Sequence, residues 1–349
     1  MAGQQPSWRF RKGFRLAVGG VGVSDDLEKI KGVGSSTASK LRAAGFTTVE
    51  AISVTPVREI ISKAGLGEET AFKMCEEARR LMNFGFVKAA ELLERRKSLL
   101  RCTTESKKLD EILGGGVETQ AMTELIGDYG VGKTQICMTL SVAAQLPREQ
   151  GGLEGNVIYM DTEGTFIPER VFQIASKRGL DGQKILDGIT VARAYTSDHQ
   201  CLLIDHLFKK CPEENAKLVV VDSMISHFRG EYIGREVLAE RQQILNQYLH
   251  KLLRLSEAYN LAVVITNQVQ SNPAQFYGNP ERPTGGHVMA HACTHRIHMR
   301  RGKGGTRVAK VIDSPYLPES KASFIITEKG IEDSEKEAEE EDADQSQKI

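Results

Sequence analysis

The sequence predicts an α/β core built on a mostly parallel central sheet, preceded by a small all-helical domain. Three observations point there. From Met122 onward, short apolar runs alternate with stretches of helical spacing, the pattern of strands and crossover helices. One run feeds directly into a glycine-rich octet, "GDYGVGKT" at Gly127–Thr134, and the octet into "QICMTLSVAAQL", which reads as a helix. Ahead of these, a ten-residue pattern occurs twice at an offset of 33 residues.

A chain of 349 residues has room for two domains and a buried core. Lys plus Arg and Asp plus Glu each number 46, so the formal net charge is zero, but the charge is unevenly placed. Residues 332–349 hold nine acidic and two basic residues, a net charge of −7 that leaves residues 1–331 at +7. That segment has too little apolar surface to offset chain entropy, so an acidic disordered tail is expected. The basic body suits a polyanionic partner, and the tail either competes with that partner or serves solubility. Residues 1–24 form a basic extension containing "SWRFRKGFRL", expected to be flexible. The six cysteines show no Cys-x-x-Cys spacing, which argues against zinc or a disulfide framework and for reduced thiols. No apolar run approaches the roughly 18 residues of a membrane helix and no signal-peptide core is evident, so a cytoplasmic protein with no membrane partner is expected.

The duplicated pattern reads "GVGSSTASKL" at residues 32–41 and "GLGEETAFKM" at residues 65–74. Its glycines permit a tight turn with exposed backbone N–H groups, and a Thr-Ala-led helix follows. The unit resembles the helix-hairpin-helix module, whose turn amides hold a phosphate without reading bases. A helix-hairpin-helix DNA-binding domain is therefore expected over residues 25–82. Gly32 and Gly34 are its contact positions, because Lys29, Lys31, Lys40 and Arg42 surround them. In the second copy Glu68 and Glu69 would repel DNA, and a purely structural helix turn is the alternative for both. Residues 83–104 form a linker. Within it Phe86 and Ala89 fall on one side of a helical turn, a spacing that by itself means only packing.

The octet matches G-x-x-x-x-G-K-[ST], and the chemistry requires that spacing. Glycines let successive N–H groups curl around the α- and β-phosphates of a nucleotide. Lys133 brings a compact charge to the β/γ oxygens, and the Thr134 hydroxyl ligates Mg²⁺. A helix from Thr134 aims its N-terminus at the anion. The ATP site is expected to run through Gly127, Asp128, Tyr129, Gly130, Val131, Gly132, Lys133, Thr134 and Gln135. "KLVVVDS" reads as a doubly buried parallel strand ending at Asp222, which suits the Walker B carboxylate that holds hydrated magnesium. "NVIYMDTEGTF" ends with Asp161 and Glu163; Glu163, just beyond the strand, is the candidate for orienting the water that attacks the γ-phosphate. "NLAVVITNQV" ends in Asn267 and Gln268, where an amide either senses the γ-phosphate or is a satisfied core group.

The octet together with "YMDTEGTFIPER", "VVDSMISHFRGEYIGREVLAERQQ", "TNQVQSNPAQFYGNPERPTGGHVMAHA" and "IDSPYLPE" resembles the archaeal RadA group of RecA-like strand-exchange recombinases, over roughly residues 25–331. The resemblance implies a RecA-like ATPase core over residues 105–331. It implies self-association into helical filaments or rings, filament growth on single-stranded DNA, and pairing of that strand with a homologous duplex, with a nucleoid-associated location. By the same resemblance Phe86 and Ala89 are a polymerisation motif, the Phe inserting into the next core. Arg229, Arg235 and Arg241 lie in one DNA-facing loop. Phe276, Gly285 and Gly286 belong to a second, Val269–His287, which shows no structural pattern of its own. Arg170 would stack on adenine, Gln268 and His291 would sense the γ-phosphate, and Asp313 to Pro318 would cap a neighbouring subunit's nucleotide. A ring-shaped motor of the same core family and an ATP-switched adaptor remain as alternatives. The motor needs no Phe86 anchor, and such adaptors tend to be shorter.

Overall fold

The computed structural model describes residues 26–234, 236–271 and 281–335. The front domain opens with a 3-10 turn at Asp26–Lys29, followed by α1 (Ser35–Ala43), α2 (Val49–Val54), α3 (Val57–Ala64) and α4 (Glu68–Leu81). Apolar residues at helical spacing meet in one small core, with Leu27, Ile30, Leu41, Ile52 and Ile60 fully buried. Thr48 caps α2 by accepting from the Ala51 N–H at 3.1 Å. Gly65, at φ +62°, ends α3, and Gly67 leads into α4, so the second copy of the repeat is a helix-turn-helix; in the first, Gly32 at φ +91° and Gly34 stand ahead of α1.

The front domain packs on the core through α2 and α3. Thr48 Oγ1 meets Tyr259 Oη at 3.0 Å. Lys251, its side chain only 4% exposed, lies between Glu59 at 2.9 Å and Asp205, while Lys63 bridges the same two carboxylates at 3.1 and 2.9 Å. A buried ammonium is tolerated here because two carboxylates compensate its lost hydration.

The linker carries α5 (Ala89–Arg96). Phe86 does not share a helical turn with Ala89, as the spacing suggested. It sits in the non-helical stretch ahead of α5, with Ala89 as the first helical residue. Phe86 is fully exposed, and Phe84, Leu92 and Leu93 are exposed beside it.

The core then runs β1 (Arg101–Cys102), α6 (Lys107–Ile112), β2 (Val117–Glu118), β3 (Met122–Gly127), α7 (Lys133–Ala143), β4 (Asn156–Asp161), α8 (Pro168–Lys177), α9 (Gly182–Asp187), β5 (Ile189–Arg193) and α10 (Ser197–Glu213). It continues through β6 (Ala216–Asp222), α11 (Ser226–Glu231), α12 (Leu238–Tyr259), β7 (Ala262–Asn267), β8 (Val269–Ser271), β9 (Glu281–Pro283) and α13 (Gly286–Ala292). The last strands are β10 (His295–Arg301), β11 (Arg307–Asp313), β12 (Lys321–Thr327) and β13 (Gly330–Asp333).

Nine strands form one sheet in the order β13-β12-β11-β10-β3-β7-β6-β4-β5. The segment from β10 to β5 is parallel throughout, and β11, β12 and β13 add an antiparallel wing. β3 and β7 are buried at every residue, as strands covered on both faces must be, and an apolar cluster lies on each side.

Two boundaries differ from the sequence reading. The acidic tail was expected from residue 332, yet Glu332 and Asp333 belong to β13, and Asp333 Oδ1 accepts from Ser106 Oγ at 2.6 Å and the Lys108 N–H at 3.0 Å. Buried Ile331, paired with Ile326 of β12, outweighs the local acidity. The second loop, expected to be patternless, is closed at its base by an antiparallel β8–β9 ribbon and followed by α13. All six cysteines are buried free thiols.

Candidate nucleotide site

The C-terminal ends of the parallel strands gather the site, where open α/β sheets expose their crevice. β3 ends in Gly127 at φ +158°, followed by Gly130 at +77° and Gly132 at +105°. A Cβ at Gly130 would lie 2.5 Å from Arg301 Nη2, and one at Gly132 would lie 2.8 Å from Ile326 Cδ1. Backbone this far into positive φ favours glycine, which fits a loop whose N–H groups wrap an anion. Asp128, Tyr129 and Gly130 are exposed and Val131 is buried as the loop's foot. α7 begins at Lys133, one residue earlier than expected. Lys133 Nζ donates to the Gly127 and Asp128 carbonyls at 2.6 and 2.8 Å. Burial pulls its pKa down, against the charges of Asp222 and Glu163.

Asp222, at the end of β6 and 3% exposed, accepts three hydroxyls: Thr134 Oγ1 at 2.7 Å, Tyr159 Oη at 2.8 Å and Thr266 Oγ1 at 2.5 Å. Burial raises its pKa, and the three hydrogen bonds oppose that rise by favouring the carboxylate. Asp161 is structural: Oδ1 accepts the N–H groups of Glu163, Gly164 and Thr165 at 3.1, 2.7 and 3.2 Å, which fixes the turn that exposes Glu163. Glu163 Oε1 accepts Ser223 Oγ at 2.8 Å and Gln268 Nε2 at 3.0 Å. Gln268 Oε1 in turn accepts Arg229 Nη1 of α11 at 3.1 Å.

Of the two amides ending the third apolar run, Asn267 is a core group, donating to Glu124 Oε1 at 2.6 Å and the Thr284 carbonyl at 2.7 Å. Gln268 is the one that reaches the site. Arg170 is held flat by Gln135 Oε1 at 2.8 Å, Gln173 Oε1 at 2.5 Å and the Thr327 carbonyl at 2.5 Å, so Gln135 positions the arginine beside the loop. His291, near the end of α13, is exposed, with its ring 6.1 Å from that of His287.

Arg229 is exposed on α11, and Arg241 lies in the first turn of α12. Arg235 and Phe276 lie outside the described residues. Gly285 is buried and starts α13 at φ +92°, where a Cβ would strike the Met289 side chain; Gly286 beside it is exposed. At Gly32 and Gly34 a Cβ would meet nothing within 4 Å, so the turn faces open space.

Asp313 and Pro318 are exposed at the opposite end of the sheet. Asp313 pairs with Arg296, and His295 pairs with Thr123 at the start of β3. The rise from Thr123 to Gly127 alone is about 13 Å, with the glycine loop further on. This segment therefore stands away from the chain's own nucleotide loop.

Three side chains escaped the sequence reading. Ser223 bonds Glu163, while Tyr159 and Thr266 bond Asp222. Their only signals are a polar residue after "VVD", a tyrosine inside an apolar run and a threonine inside another.

A glycine loop opening a helix, with its threonine bonded to a strand-end carboxylate two strands away, defines a P-loop nucleoside triphosphatase of RecA-like architecture. The chain belongs to the Rad51 family: the Rad51 model matches residues 95–334, and a model of the SAM-like helix-hairpin-helix tandem matches residues 24–80. It is 48% identical over 310 residues to the DNA repair and recombination protein RadA of Aeropyrum pernix, covering 89% of this chain and 97% of that protein. Members of this family are DNA-dependent ATPases.

Proposed function

We propose that the chain assembles head to tail as a helical filament on single-stranded DNA and, using ATP, pairs that strand with a homologous duplex and exchanges strands in DNA repair. The observation that carries this reading is the separation of the glycine loop from the 313–318 segment, at opposite ends of one sheet. A segment that cannot cap its own nucleotide is available to cap a neighbour's. A heterologous contact of this kind propagates as an open helix rather than closing a pair.

Two further features support assembly. Phe86 stands exposed in a non-helical stretch, and β5 is an open sheet edge flanked by exposed Val191, Tyr195 and Leu202. An extended segment adding to that edge, its Phe seated among those side chains, matches a common mode of strand addition. The RadA relative is a DNA repair and recombination protein, which supports the same reading.

Thr134 and Asp222 offer two oxygen donors 2.7 Å apart beside the phosphate cradle, which suits Mg²⁺, a cation that keeps several waters and takes few protein ligands. When bound it neutralises charge on the β- and γ-phosphates. Lys133 adds a second positive charge there, and Glu163, held by Ser223 and Gln268, orients the attacking water. Arg229 and Arg241, with the Gly32–Gly34 turn, offer DNA phosphate contacts. The link from Arg229 through Gln268 to Glu163 joins DNA to hydrolysis.

The test combines protein, ATP, Mg²⁺, single strand and homologous duplex. Joint molecules that depend on homology are expected. Duplex unwinding without homology would instead identify a ring motor, and inertness an adaptor.

A further inference from the structure

Glu118 lies on β2 with its side chain only 3% exposed, yet its carboxylate serves three partners from separate parts of the chain. Oε1 accepts Arg96 Nη2 of the linker helix α5 at 3.0 Å. Oε2 accepts Arg101 Nη2 at 2.6 Å and Tyr316 Oη at 2.6 Å. The Arg96 guanidinium also lies over the Tyr316 ring, 5.5 Å from its centroid, and the His295 ring meets Tyr316 edge-on at 5.4 Å. The backbone beside Tyr316 is fixed as well. Ser314 Oγ accepts the Tyr316 and Leu317 N–H groups at 3.3 and 3.0 Å and contacts His295 Nδ1 at 3.0 Å.

A nearly buried carboxylate is costly unless paired, so this one holds its partners in a narrow geometry. Those partners come from α5, from β1 and from the loop that carries Tyr316. α5 continues from the Phe86 anchor, and Tyr316 sits inside the segment read as the cap. Arg96 touches both Glu118 and Tyr316, and α5 has no buried side chain of its own to hold it otherwise.

We propose that Glu118 is a positioning residue that fastens the 313–318 cap to the linker helix, so that seating Phe86 on a neighbouring subunit sets how tightly the cap closes over nucleotide. The inference rests on the filament reading above. Through it, anchoring by Phe86 and closure over nucleotide are coupled, the differential contact that coupling between sites requires.

The test compares full-length wild type, Glu118→Gln and Tyr316→Phe. The tyrosine change removes only a hydroxyl from a half-exposed side chain, so it preserves the fold even where Glu118→Gln weakens it. Each is measured as a DNA-bound assembly and again in a Phe86→Glu background that does not assemble. In assemblies, KM for ATP is expected to rise roughly tenfold for either variant with kcat little changed, the size expected from losing one charge-assisted hydrogen bond. In the Phe86→Glu background, affinity for a fluorescent ATP analogue should be the same with or without the second change. An unchanged KM in assemblies overturns the proposal. So does a matching affinity loss in unassembled protein, since the network would then act within one subunit. A wild type that never assembles by light scattering overturns the filament reading itself, a different observable.

Discussion

Tyr159→Phe tests the architecture of the carboxylate at the centre of the site. Tyr159 is fully buried and its hydroxyl donates to Asp222 Oδ2 at 2.8 Å, while its ring packs on Phe166 with centroids 4.7 Å apart. The substitution keeps the ring and removes one hydrogen bond to a buried carboxylate, a loss of about 1.5–3 kcal/mol. For a core of this size that corresponds to a fall in Tm of roughly 3–10 °C. A second effect is specific to the site. Tyr159 is one of three hydroxyl donors on Asp222, so the variant leaves Thr134 and Thr266 to hold it. Burial already raises the Asp222 pKa, and loss of a donor raises it further. The Mg²⁺ concentration for half-maximal binding of a fluorescent ATP analogue should therefore rise several-fold at neutral pH. An unchanged Mg²⁺ titration with only a lower Tm would mean that Tyr159 merely fills the core and that this account of Asp222 is wrong.

Glu163→Gln should bind the ATP analogue normally while losing most turnover, and undiminished phosphate release would remove Glu163 from the water-orienting role. Phe86→Glu should leave monomers in light scattering with an unchanged Tm, because the side chain touches nothing in its own subunit; wild-type assembly would dismiss the anchor. Lys251→Met leaves Glu59 and Asp205 with Lys63 alone at the contact between front domain and core, which should lower stability by denaturation, though by less than the ~3 kcal/mol of a fully unpaired buried charge, and a neutral outcome would show the cluster to be idle. The same cluster predicts a pH dependence. Burial would raise the Glu59 pKa, but hydrogen bonds and charge from Lys251 and Lys63 outweigh it and hold the carboxyl below its ordinary value. Its contribution is thus complete above the ordinary glutamate range and lost as pH falls through the lowered pKa, so proteolysis between the two domains should accelerate under acid conditions.

The parts of this protein legible in its sequence are those encoded locally. The glycine loop, Thr134 and the run ending at Asp222 each carry their meaning in fewer than ten residues, because a phosphate cradle and a buried strand impose strict spacing. What was hidden is assembled by topology. Glu163, Ser223 and Gln268 follow β4, β6 and β7, which become neighbours only through crossovers, so nothing in the linear order joins them. Glu118 draws on residues 96, 101 and 316 for the same reason. Phe86 was read onto a helical turn because its distance from Ala89 matches one, although the helix starts only at Ala89. β13 was read as tail because composition masked a pairing with β12 that only the sheet reveals.

The central claim is that each ATP is enclosed by the glycine loop of one subunit and the 313–318 cap of the next. Mixing two disabled variants tests it directly: Lys133→Ala, with an intact cap, and Asp313→Ala combined with Tyr316→Ala, with an intact loop. Each should hydrolyse ATP poorly alone on single-stranded DNA. Mixed in equal amounts, they should recover activity at about a quarter of the interfaces, those pairing an intact loop with an intact cap from the adjoining subunit. A mixture no more active than its components would contradict the account.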